Sequence, residues 1–280
     1  MEYVLTVQCP DRKGIVHAVS GGLLDVGANI VENAQFEDVD SGIFCQRTVF
    51  EADSGVTDAV RRRLDQRLVG FDAQIVLRLA DSRPRVMIMV SKFDHCLVDL
   101  LYRWRTGDLP IDIPLIVSNH TDCEPVAKAH NIEFVHLPVS TENKAEQEAA
   151  LLALMETHDV SLLVLARYMQ ILSNDLCERL RGRAINIHHS FLPGFKGARP
   201  YHQAYARGVK LVGATAHFVT GDLDEGPIIE QEVVRVTHAQ SAESLTRLGQ
   251  DVERVVLARA VKLWAENRIF AVGNKTVVFP

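Results

Sequence analysis

From residue 86 to residue 166 the chain alternates strand and helix patterns without a break, and this restricts its fold more than any other feature. Residues 86–90, 113–117, 132–137 and 160–166 read as strands, and 94–105, 122–130 and 143–158 as the helices between them. Such alternation predicts a doubly wound, mostly parallel, Rossmann-like α/β sheet. Ligand clefts of open α/β sheets form at the carboxyl ends of their strands. Residues 243–267 read as a long amphipathic helix, with Leu245, Leu248, Val252, Val255 and Val256 on one stripe, and 276–279 as a terminal edge strand.

The stretch 183–229 concentrates the polar groups suited to chemistry. Period-two alternation puts Ala184, Asn186 and His188 on one face of a strand and Ile185, Ile187 and His189 on the other. The run breaks at Ser190 and Pro193-Gly194, so a carboxamide and an imidazole lie side by side at a strand's carboxyl end. A second strand, 211–219, empties into Thr220-Gly221-Asp222-Leu223-Asp224-Glu225-Gly226-Pro227, a tight loop holding carboxylates. An amide and a protonated imidazole can stabilise a tetrahedral oxyanion while a carboxylate orients or deprotonates a nucleophile, which suits acyl or formyl chemistry. The plainer alternative is that Asn186 and His188 end a strand while Asp222 and Asp224 are ordinary turn residues.

Asn186-Ile187-His188 with Ser190-Phe191-Leu192-Pro193, then His217-Phe218-Val219 and Leu223-Asp224-Glu225-Gly226-Pro227-Ile228-Ile229, resembles the folate-dependent formyltransferase family. The resemblance implies that Asn186, His188 and Asp224 are the catalytic trio. It also implies that the folate ring lies between the Asp224 loop and the segment 167–172, with Met169, Gln170, Ile171, Leu172, His217, Thr220, Gly221 and Asp222 as substrate-binding residues. Transferases often carry Arg at the position of Gln170 and an acid at that of Gly221, so the pocket differs in detail.

The first eighty residues read as βαββαβ, a ferredoxin-like unit: strands 3–8, 29–38, 43–50 and 72–79, and helices opening at 11–14 and spanning 56–68. Cys9-Pro10-Asp11-Arg12-Lys13-Gly14-Ile15-Val16, with Gly27-Ala28-Asn29-Ile30, resembles an ACT domain. That likeness implies a small amino-acid effector near Gly14 and Asn29, or a domain used only for self-association. The expected organisation is therefore an ACT-like domain over 1–80, a Pro-bearing linker over 81–85 and a formyltransferase-like catalytic domain over 86–280.

Two departures separate the chain from transferases. The first strand–helix turn, Ser91-Lys92-Phe93-Asp94-His95-Cys96-Leu97, lacks the Gly-rich phosphate cradle of glycinamide ribonucleotide formyltransferases and puts Phe93 and Asp94 in its place. His189 stands where transferases have proline; by alternation it faces away from His188 and packs structurally. With the ACT-like leader and the His188-His189-Ser190-Phe191 form, the chain resembles the formyltetrahydrofolate deformylase family over nearly its whole length. The implied reaction is hydrolysis of 10-formyltetrahydrofolate, a linear amide, to tetrahydrofolate and formate, feeding purine synthesis and balancing the one-carbon pool. The alternatives are formyl transfer to an unphosphorylated amine, or a catalytically silent folate or amino-acid sensor.

Composition sets the remaining expectations. The net charge of −6 argues against nucleic acid as the main partner. Between Glu178 and Asp222 there is no carboxylate, while Arg179, Arg181, Arg183, Lys196, Arg199, Arg207 and Lys210 are basic; this window is either a solvated face or an attraction for the glutamate tail of a folate. Five scattered cysteines without a C-x-x-C, and Glu2 followed by strand-like residues in place of a signal core, predict a cytoplasmic chain with reduced thiols. No apolar run reaches membrane-spanning length. Neither a cofactor nor a metal is expected: His188 and His189 alternate, and no H-E-x-x-H occurs. An ACT-type sheet edge predicts homo-oligomers.

Overall fold

The computed structural model describes residues 1–194 and 200–280, so Lys196 and Arg199 of the basic window lie outside the described residues. The chain forms two compact units, one of Met1–Ser82 with Glu266–Pro280 and one of Arg83–Ala265.

In the first unit β1 (Glu2–Pro10), α1 (Ile15–Leu24), β2 (Asn29–Asp38), β3 (Ile43–Glu51), α2 (Thr57–Arg67) and β4 (Gln74–Leu79) follow one another. The sheet order is β2-β3-β1-β4 with every neighbouring pair antiparallel, the split βαβ order of a ferredoxin-like unit. The helices cover one face: Ile15, Val19 and Leu23 of α1 and Val60 and Leu64 of α2 bury against Tyr3, Leu5, Val7 and Phe50. Tyr3 and Phe50 are register partners across β1 and β3, and their rings stack at 5.3 Å, a cross-strand pair of the kind that fixes register. The Arg61-Arg62-Arg63 run lies on the outer side of α2, where Arg61 pairs with Asp65 and Arg63 with Asp25.

In the second unit come β5 (Val86–Val90), α3 (His95–Thr106), β6 (Leu115–Ser118), α4 (Glu124–Ala129), β7 (Glu133–His136), α5 (Lys144–Thr157), β8 (Leu162–Leu165), α6 (Asn174–Arg179), β9 (Ala184–His188), α7 (Pro200–Arg207), β10 (Leu211–Phe218), β11 (Ile228–Arg235) and α8 (Ala242–Ala265). Strand order is β11-β10-β9-β8-β5-β6-β7. The five strands from β7 to β9 are parallel, with β6, β5, β8 and β9 fully or largely buried and β7 a half-exposed edge, while β10 and β11 are antiparallel additions. The chain winds outward from β5 to β7 and then restarts at β8 on the other side of β5. That reversal puts the topological switch point between β5 and β8, where a crevice opens at the carboxyl ends.

The end of the chain corrects the expected organisation. Residues 276–279 are not an edge strand of the large sheet. β12 (Ile269–Val272) and β13 (Lys275–Val278) form a hairpin within the first unit. Phe270, Val272 and Phe279 bury Cys45, Ala271 accepts a hydrogen bond from the Gln8 amide (2.8 Å), and Lys275 pairs with Asp38 at 2.6 Å. The second unit thus ends at Ala265, not at residue 280, because the hairpin's apolar side chains find their burial against β3.

Candidate active site

Asn186 and His188 project from the same face of β9, at its carboxyl end. β10 pairs beside it with His217 opposite Asn186 and Thr215 opposite His188, so His217 joins the same face. The His217 Nδ1 lies 2.8 Å from the Phe218 carbonyl. A carbonyl only accepts, so Nδ1 carries a proton, and Nε2 faces the Asn186 amide at 3.2 Å. The carboxamide is thereby oriented by its neighbour.

Because β10 runs against β9, the loop after it leaves at the amino end of β9 and must fold back to reach His188. Gly226 permits the return: a Cβ there would sit 1.7 Å from the Phe218 carbonyl oxygen. Phe218 N–H to Pro227 C=O and Val219 N–H to Ala184 C=O, both 2.9 Å, fix the base of the loop. Asp224 then sits 3.1 Å from His188 Nδ1 and 3.7 Å from His217 Nε2, at a left-handed φ of 57°. Burial alone would raise its carboxyl; the His188 and His217 imidazoles outweigh that and hold it well below the usual carboxylate range. Asp224 is therefore an anion near neutral pH.

On its other side His188 Nε2 meets the Ser190 hydroxyl at 2.8 Å, and that hydroxyl donates to the Gly194 carbonyl at 2.9 Å. Thr215 holds this turn, donating to Ser190 C=O and accepting from Leu192 N–H and from the Gln231 amide. With a hydroxyl oxygen on one nitrogen and a carboxylate on the other, the geometry accommodates an imidazolium donating in both directions.

The three groups line a cavity of about 570 Å³ that opens beyond β5, β8 and β9. Its rim is apolar: Phe93, Met169, Ile171 and Leu223 are each about half exposed. The segment after β8 is pinned from below. Ser91 accepts from Met169 N–H (3.0 Å) and donates to Asn119 (2.7 Å), and Glu148 accepts from Ser173 N–H (2.8 Å).

The chain matches the formyl transferase family over residues 84–261. It is 48% identical over 280 residues to a formyltetrahydrofolate deformylase of Corynebacterium sp. (strain P-1), covering 99% of this chain and 98% of that one. The chain belongs to the formyltetrahydrofolate deformylase family. Among solved structures, a formyltetrahydrofolate deformylase from Burkholderia mallei is 52% identical with a TM-score of 0.96, covering 100% of this chain and 99% of that one. One from Pseudomonas putida is 47% identical, also at 0.96, with both chains fully covered.

In this deformylase-family chain, Met169, Gln170, Ile171, Leu172, His217, Thr220 and Gly221 all line the cavity with the trio. Asp222 does not; it is exposed, and its backbone carbonyl accepts from the Thr220 hydroxyl. None of the described basic residues of the 179–210 window lines the cavity. Arg181 pairs with Glu178, and Arg183 donates to the Ser161 and Val160 carbonyls. Among the described residues the cavity's lysines and arginines reduce to Arg167.

His189 corrects an expectation of strand alternation. β9 stops at His188, so the next residue no longer obeys the pleat; the two rings lie 5.1 Å apart and both line the cavity. Burial, then Arg167 and His188, push the His189 imidazole down to about 4, leaving it neutral at pH 7.

Beneath His189 lies a polar cluster that sequence spacing does not reveal. Glu253 of α8, fully buried, accepts from the Tyr201 hydroxyl at 2.6 Å, lies 2.8 Å from His95 Nε2 and 3.4 Å from Arg167 Nε. Gly249 makes room for Tyr201, since a Cβ there would fall 2.0 Å from its ring. The available signal was a lone acid next to the Val252 and Val256 stripe. His95, Cys96 and Glu253 place ligand atoms within 4.8 Å of one another. The set fits a metal poorly: burial and then Glu253 push the Cys96 thiol well up, and the Arg167 cation already neutralises the carboxylate.

Proposed function

We propose that this chain hydrolyses 10-formyltetrahydrofolate to tetrahydrofolate and formate. The observation that carries the reading is the convergence of Asn186, His188 and ionised Asp224 on one wall of a cavity whose rim offers exposed apolar side chains to a flat ring. Water adds to the formyl carbon, and the carbonyl oxygen becomes an oxyanion held by the Asn186 amide and by the His188 Nε2–H, which exchanges the Ser190 hydroxyl for it. Asp224 orients the water and takes up the proton it loses. Collapse of the tetrahedral adduct breaks the C–N10 bond; N10 leaves with a proton and the formyl carbon leaves as formic acid, which ionises to formate. Phe93 and the half-turn before α3 occupy the place where a phosphorylated acceptor would need bare backbone N–H groups, which favours water as nucleophile.

The first unit acts in this reading as an ACT-type regulatory domain. Its support is the split βαβ order, with Gly14 (φ 100°) in the turn between β1 and α1 and exposed Asn29 opening β2, where a small amino acid would bind. Copies associate through this unit, and the formate supplies purine synthesis in a cytoplasmic setting. Among the described residues no helix is long and apolar enough to cross a membrane.

The test is formate release from 10-formyltetrahydrofolate with no amine present, for the wild type, Asp224→Asn and His188→Ala. Turnover by the wild type and a loss of roughly two decades or more in each variant is expected. Turnover that appears only when an amine is added would replace hydrolysis by transfer.

A further inference from the structure

Arg167 is a buried cation with unused donors. Its side chain is 10% exposed, and among the described residues neither Nε nor Nη1 has a hydrogen-bond partner. Glu253 neutralises its charge from 3.4 Å, but the shorter contacts to that carboxylate belong to His95 and Tyr201. The guanidinium carbon stands 5.8 Å from the centre of the Phe93 ring, and the charge is close enough to lower the neighbouring His189 imidazole. The backbone at Arg167 is held at φ 67°, a left-handed conformation that strains a side-chain-bearing residue and persists where surrounding structure enforces it. An arginine desolvated to this degree ordinarily satisfies its N–H groups. Here Nε and Nη1 stay unpaired among the described residues, in a side chain that lines the cavity of the catalytic trio.

We infer that Arg167 is the anchor of a small-carboxylate subsite that receives the formate released by hydrolysis, an inference that rests on the proposed reaction. The reaction creates an anion inside a cavity that already holds ionised Asp224, and two like charges in a low-dielectric space repel strongly. A guanidinium offering N–H donors to a planar carboxylate gives that anion a favourable position away from Asp224. Phe93 closes one face of the guanidinium, and the Glu253, His95 and Tyr201 cluster fixes it from behind.

Arg167→Gly suits the test, because glycine adopts φ 67° without strain and Glu253 keeps two of its three partners. Calorimetric titration of the full chain with sodium formate, in the absence of folate, should show saturable binding to the wild type. Affinity should weaken roughly tenfold or more in Arg167→Gly, with Arg167→Lys in between. Formate inhibition of turnover should weaken by the same factor wherever a variant turns over. Equal formate affinity in wild type and Arg167→Gly, or no saturable binding to the wild type, would overturn the subsite. Sodium acetate binding as tightly as formate would overturn its assignment to a one-carbon acid. Arg167-dependent formate binding in a protein that releases no formate from 10-formyltetrahydrofolate would uphold the subsite and count against the reaction alone.

Discussion

His189 shows how one residue's position relative to a strand end decides its chemistry. In the fold its imidazole titrates near 4, and in the unfolded chain near 6.5. Between those values the unfolded state binds one more proton than the folded state, so stability is lost as pH falls through this window. At pH 5 the loss is about 2 kcal/mol, from about 1.36 kcal/mol per unit over roughly one and a half units. His189→Asn cannot take up that proton. Urea unfolding at pH 7 and pH 5 should therefore show the wild type losing about 2 kcal/mol more than the variant; equal losses would mean that the ring is not held neutral. Alternation along 184–188 made Asn186 and His188 legible from sequence, because both lie within the paired strand. It misplaced His189, one residue past the last pair, and it carried no information on Arg167, whose burial depends on α8 eighty residues further on.

The loop after β10 owes its place to close backbone approach. In Gly226→Ala the new Cβ meets the Phe218 carbonyl, and the loop has to lift to relieve the overlap. A displacement of about an ångström at Asp224 is enough to lower kcat by roughly a hundredfold. The stability cost should stay near 1–3 kcal/mol, since the sheet beneath is unchanged. Comparing kcat with the urea midpoint separates the two effects, and an unchanged kcat would show that the loop does not position Asp224. The sequence marks this loop by its glycines and proline, and it marks β5 to β8 by unbroken alternation. It does not reveal α6 or α7, at six and eight residues too short for a helical period to stand out. Nor can strand patterns state that β10 and β11 run against their neighbours, which is what obliges the loop to fold back.

At the scale of the whole chain, the first unit is completed by its last fifteen residues, across nearly two hundred that form the other unit. Local patterning read those residues as a strand but had no means of assigning its partner, because the decisive contacts join Cys45 to Phe270, Val272 and Phe279. Phe270 is 5% exposed, packs edge-on against Phe279 at 5.4 Å and shares a core with fully buried Cys45, whose thiol burial pushes up to about 11. Phe270→Ala should remove about 3–5 kcal/mol from this unit, the usual cost of deleting a buried aromatic ring. It should also let an alkylating reagent reach Cys45 at least about ten times faster, because reaction requires both access and thiolate. Site-resolved mass spectrometry after timed alkylation distinguishes Cys45 from Cys9 of the same unit. If Cys45 remains as protected as in the wild type, the hairpin merely decorates the sheet; accelerated labelling confined to Cys45 makes the carboxyl-terminal residues part of the core that the first strands began.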